Sequence, residues 1–153
     1  MKFGPLPLEQ AHGKILGHHI SGPDGRRAFA KGKPLSAADV DALRQLGRRW
    51  VYIADLEPGD VDENTAARRV AESVAGPHLL PSHPNVGRVN LLADALGIFH
   101  VDADRLNRLN ACEGITLATL LSHSVVHPRQ MVATLKIIPF ALPEATIDEA
   151  VGL

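Results

Sequence analysis

The sequence predicts an α+β fold in two small subdomains, the second strand-rich and built as a mostly antiparallel sheet or a small barrel. Three observations carry this. Dense β-branched and apolar runs, Trp50-Val51-Tyr52-Ile53 and Met131-Val132-Ala133-Thr134-Leu135-Lys136-Ile137-Ile138, read as strands. Segments 36–46, 61–75 and 102–109 read instead as short helices, from their apolar spacing and their capping residues. Between the halves, Pro77-His78-Leu79-Leu80-Pro81-Ser82-His83-Pro84 has prolines that withhold ladder donors and push their predecessors away from helix. The expected organisation is an α/β subdomain over 1–76, a Pro/His-rich connector over 77–86, and a strand-rich subdomain with short helices over 87–153.

The elements follow in order. A short strand over 16–20 enters the turn Ser21-Gly22-Pro23-Asp24-Gly25, where proline presets φ and glycine permits positive φ. Ser36 caps a helix that turns Val40, Leu43 and Leu46 inward, and Gly47 ends it. The run 50–53 reads as a buried strand. After the Pro58-Gly59 turn, 61–75 forms a helix with Ala66, Val70 and Val74 on one face and Asp62, Glu63, Arg68, Arg69 and Glu72 on the other. Downstream, 87–93 and 97–101 read as a strand pair, 102–109 as a helix capped by Asp102, and 115–120 as a strand. The run 131–138 is the strongest strand, with Ile137 in the core and Ile138 on the other face. A last helix over 144–151 points Ile147 and Val151 inward.

The 153 residues suit one domain or two small ones, and no apolar run approaches the roughly 18 residues of a membrane helix. Sixteen Lys and Arg against 17 Asp and Glu give a formal charge of −1, so the chain lacks the basic field that supplies non-specific nucleic-acid affinity. Neither nucleic acid nor membrane is an expected partner. A lone cysteine, Cys112, cannot form an internal disulfide, and Met1-Lys2-Phe3-Gly4-Pro5 has no apolar signal region, so a reducing cytoplasm is the expected compartment.

The histidines occur as His18-His19, His78 with His83, and His123 with His127, without a cysteine pair or carboxylate at zinc spacing, so no metal ligand is assigned. Cys112 lacks a neighbouring base and reads as a half-buried, inert thiol. The loops of acyl, phosphoryl and dinucleotide chemistry are missing, and no residue is assigned a catalytic role. What remains is a set of polar side chains: Arg88 and Asn90, two apart on one strand face, with Asn107, Asn110, Thr116, Thr119 and Lys136. A guanidinium fork, an amide and an ammonium suit a polar, anionic small molecule. Against this, Asn107 and Asn110 read equally as caps and turns, and Arg88 as a surface arginine paired with a carboxylate.

Several motifs share an order along the chain: Ile15-Leu16-Gly17-His18, Ala30-Lys31-Gly32 with Leu35-Ser36-Ala37-Ala38-Asp39-Val40, Leu56-Glu57-Pro58-Gly59-Asp60, Glu63-Asn64-Thr65-Ala66-Ala67-Arg68, Gly87-Arg88-Val89-Asn90, and Val132-Ala133-Thr134-Leu135-Lys136-Ile137-Ile138-Pro139. From about residue 11 to 143 they resemble the amino-terminal region of molybdopterin-binding proteins of molybdenum cofactor biosynthesis, relatives of the molybdopterin molybdenumtransferases. The sequence departs from that pattern at Gly17, often alanine there, and at Pro34, usually aliphatic or basic. The resemblance implies an accessory or substrate-positioning module followed by a molybdopterin-binding domain and often by a nucleotidyltransferase domain similar to molybdenum cofactor cytidylyltransferases. Such fusions sometimes carry names borrowed from diphosphocytidyl-methylerythritol synthases. On this reading the chain holds no cofactor of its own, molybdopterin belongs to the full-length transferase, catalysis sits in the partner domains, and a homo-oligomer is compatible.

Ligand binding is then expected at Arg88, Asn90 and Lys136, with His18 as a further candidate. Two other readings compete: a stand-alone binding or regulatory module for an anionic metabolite, and a lyase or hydrolase in which His18 is the acid/base or a metal ligand.

Overall fold

The computed structural model describes Met1–Leu153 and divides the chain into two units, Met1–Pro58 and Gly59–Leu153. The fold is α+β, and its strand pairings are antiparallel. No helix is long and apolar enough to cross a membrane.

In the first unit, β1 (Lys2–Pro7), β2 (Ile15–Leu16), β3 (Ile20–Ser21), β4 (Arg27–Phe29), helix α1 (Ala37–Gln45) and β5 (Trp50–Asp55) follow in order. One sheet runs β1-β5-β2, and β3 and β4 form a ribbon across the Ser21–Gly25 turn. The strand expected over 16–20 is therefore two short ones, broken at Gly17. There the Gly17 N–H donates to the Tyr52 carbonyl at 2.7 Å, and an added Cβ would stand 2.8 Å from the Phe3 ring and 3.0 Å from the Tyr52 oxygen. That close approach favours the smallest residue.

Ser36 caps α1 as expected and does so reciprocally. Its Oγ accepts from the Asp39 N–H at 3.2 Å, while the Asp39 carboxylate accepts from the Ser36 N–H at 2.9 Å. Lys33 also bonds this carboxylate, and chiefly for that reason the Asp39 pKa falls to about 2. Val40 and Leu43 pack with Leu8, Leu16, Leu35, Val51 and Ile53 in the unit's core. From Trp50 to Ile53 strand β5 is buried at alternate residues, because one face covers the core while Trp50 and Tyr52 stand out on the other.

The second unit contains β6 (Asp60–Asp62), α2 (Glu63–Val74), β7 (Leu79–Pro81), β8 (Arg88–Ala93), β9 (Gly97–Phe99), α3 (Ala103–Ala111), β10 (Ile115–Thr119), β11 (Ser124–Val126), β12 (Met131–Ile137), β13 (Ala141–Pro143) and α4 (Glu144–Val151). A four-stranded open sheet runs β10-β12-β8-β7, with the ribbons β9–β11 and β6–β13 beside it. The chain thus divides at Pro58–Gly59 and not within 77–86. Helix α2 shows why: Ala66, Ala67, Val70 and Ala71 are fully buried in one cluster with Val89, Leu91, Leu135 and Ile137 of the sheet. The proline-rich segment belongs to the same body. Its β7 is the sheet's edge strand, where missing donors are tolerated, with Pro81 opposite Leu91.

Segments β8 and β9, expected to pair, lie in different sheets. β8 is flanked on both sides by β12 and β7, and the backbone of Ala93 bonds Arg129 and Gln130, so β9 pairs with β11. Asp102 caps α3 through the Arg105 N–H. Ile147 is buried as expected, whereas Val151 is exposed, lying on the last turn of α4. Arg69 ties α2 to α4 with bonds of 2.7 Å to Glu144 and 2.8 Å to Asp148.

Candidate functional site

Alternation along β8 sends Val89 and Leu91 into the core and leaves Arg88 and Asn90 on the outer sheet face. Register then sets their neighbours. Arg88 stands opposite Lys136 and Asn90 opposite Thr134 on β12, with Thr116 of β10 opposite Lys136 on the other side. The Arg88 guanidinium donates to Thr134 Oγ at 3.0 Å and makes no ion pair, so the surface pairing weighed from sequence is absent. Asn90, opposite Thr134, shares this face, and its backbone N–H donates to Ser82 Oγ at 3.0 Å.

Lys136 is engaged internally. Its ammonium donates to the Val86 carbonyl at 2.6 Å and pairs with Glu63, in the first turn of α2, at 3.3 Å. Both contacts brace the turn that delivers Arg88. Asn85 and Arg88 exchange two backbone bonds of 3.0 Å, leaving Val86 and Gly87 as the central pair at φ of 48° and 65°. A β-branched residue is strained there. Asn64 holds the Gly87 N–H at 2.9 Å, and a Cβ on Gly87 would meet Glu63 Oε at 2.6 Å and the Ile137 carbonyl at 2.9 Å.

The structure thus brings Arg88, Asn90 and Lys136 to one face, with only the first two presenting side-chain donors outward. His18 lies in the first unit. Its exposed ring meets Tyr52 edge-on at 5.0 Å and Phe3 at 5.8 Å, and no carboxylate orients it. No three His, Cys, Asp or Glu side chains converge at a metal-binding geometry. The half-buried Cys112 thiol is pushed up, first by burial and then by the negative charge of Glu149. Such a thiol is a poor nucleophile.

Two features escaped the sequence reading. Thr134 shares the Lys136 face by simple alternation in 131–138, a period that was legible. The other is a cavity of about 610 Å³ in the second unit, between the sheet and the ends of α2, α3 and α4. Leu91, Ala93, Leu117 and Ala133 line it from the sheet and Leu109 and Ala150 from the helices. The void depends on which small residues happen to face each other across the fold, so periodicity did not reveal it.

Comparison with known proteins gives one match: the family model described as "Domain of unknown function (DUF8806)" covers residues 5–55, about a third of the chain and all of it within the first unit. No curated protein and no solved structure matches the chain.

Proposed function

We propose that the chain is an accessory, substrate-positioning module of a molybdenum cofactor biosynthesis protein, binding an anionic pterin or its nucleotide form on the outer sheet face of the second unit. Catalysis then belongs to molybdopterin-binding and nucleotidyltransferase domains C-terminal to it. One observation carries this reading: Arg88 holds its guanidinium on that face without a carboxylate partner, beside the Thr134 hydroxyl and the Asn90 amide. A planar fork takes two oxygens of a phosphate at once, and an amide suits a pterin edge, which both donates and accepts. Lys136, held by Glu63, braces the turn and adds only a partly neutralised charge. His18 has no part in this reading. The free Cys112 thiol fits a cytoplasmic protein.

The test is anaerobic calorimetric titration with molybdopterin, alongside inorganic pyrophosphate, for the parent and Arg88→Ala. Loss of the charge-assisted contact should weaken pterin binding by about 1.5–3 kcal/mol, roughly ten- to a hundredfold. Unchanged affinity in folded Arg88→Ala overturns the assignment. Pyrophosphate binding as tightly as the pterin favours instead a stand-alone module for a different anionic metabolite.

A further inference from the structure

We propose that the 610 Å³ cavity of the second unit is a binding site for a neutral, predominantly aliphatic small molecule. Its volume lies within the range of small-molecule sites. Its walls explain both its existence and its taste. β8, β12 and α4 each contribute an alanine to its wall, Ala93, Ala133 and Ala150, each too short to reach across, while Leu91, Leu109 and Leu117 make much of the remaining wall aliphatic. Apolar lining exposed to water is a favourable place for an apolar body, since occupation removes that area from solvent.

The apolar surface continues outward. Leu96 and Ile98 stand at the mouth, 66% and 70% exposed, and Val125 lies directly opposite Ile98 on β11. A chain longer than the cavity therefore has somewhere to lie.

The rim argues against a charged head. Its basic side chains already face acids: Arg105 Nε stands 3.6 Å from Asp102, and His78 Nδ1 3.0 Å from Asp94. His100 faces Ser122 Oγ at 3.4 Å and the His123 ring at 5.6 Å. The Thr119 hydroxyl donates to the Leu120 carbonyl. A carboxylate entering here meets the negative charges of Asp102 and Asp94 beside Arg105, and an ammonium meets Arg105 itself. A hydroxyl or ester can bond at the rim while both pairs stay intact.

Fluorescence titration of the 153-residue protein with the neutral dye Nile red, followed by displacement with decan-1-ol or sodium decanoate, tests this. Saturable, blue-shifted emission is expected, reversed by decanol at a concentration about tenfold below that needed for decanoate. Ala95→Phe, at a half-buried position of the cavity wall between β8 and β9, should weaken dye binding at least about tenfold. Should that variant fail to fold, amide shift changes in the parent protein decide, with decanol expected to move Leu91, Ala93 and Leu117. No saturable binding, decanoate equal to or better than decanol, unchanged affinity in folded Ala95→Phe, or shifts confined to other residues would each overturn the proposal.

Discussion

Asn110 of α3 holds both backbone groups of Leu117: its Oδ1 accepts the Leu117 N–H at 2.7 Å, and its Nδ2 donates to the Leu117 carbonyl at 3.1 Å. β10 is an edge strand, and one side chain stands in for a neighbouring strand at that point. Asn110→Ala leaves a donor and an acceptor unmatched and should cost about 1–3 kcal/mol in urea unfolding. Asn110→Asp keeps the acceptor and should cost less at neutral pH. If alanine and aspartate behave alike, the contact to the Leu117 N–H contributes nothing.

Neighbouring isoleucines should differ sharply. Ile137 is fully buried, whereas Ile138 is 60% exposed. Ile137→Ala should lose about 2–5 kcal/mol, as large-to-small core changes do, while Ile138→Ala should stay within about 0.5 kcal/mol of the parent. Equal effects in chemical denaturation would contradict the observed faces of the strand.

The turn before Arg88 offers a gain of stability. Val86 sits at φ 48°, a region that asparagine adopts far more readily, and Val86→Asn should stabilise by about 1 kcal/mol. Gly87→Ala should do the opposite, because its methyl would press on the Ile137 carbonyl. A thermal melt that ranks the two variants the other way round would show that the turn is not held as described.

Acid should weaken the first unit through Asp39. Its folded pKa, about 2, lies below the ordinary 3.8, so the carboxylate favours the folded state above pH 3.8, and that contribution disappears as pH falls towards 2. In Asp39→Asn the stability of the first unit should change less over this interval. At neutral pH, Ser36→Ala removes the hydroxyl half of the reciprocal cap and should cost about 0.5–2 kcal/mol. Parallel pH profiles for parent and Asp39→Asn would count against the ionic bond as the source.

Local signals were the readable ones. Ser36 and Asp102 cap the helices they precede, Ile137 and Ile138 take opposite faces, and Arg88 and Asn90 emerge together, because each outcome depends on spacing within a few residues. What failed to show depends on partners distant in sequence. The proline-rich run becomes an edge strand because β8 lies beside it, and α2 joins the second unit because its alanines meet β8 and β12. At the site, the same limit applied: Lys136 was visible as a cation, but Glu63, 73 positions away, which engages it, was not.

The pairing of β6 with β13 sets an order of events during synthesis. Asp62 lies opposite Ala141, and the Glu144 N–H bonds the Gly59 carbonyl, so the second unit closes on its own first residues only when its next-to-last element arrives. The first unit has every one of its strands once Asp55 has been made. On the ribosome it can therefore fold early, while α2 emerges with its alanine face uncovered and waits for β12. Of the two halves, the later one carries the long loop closure and so the slower step.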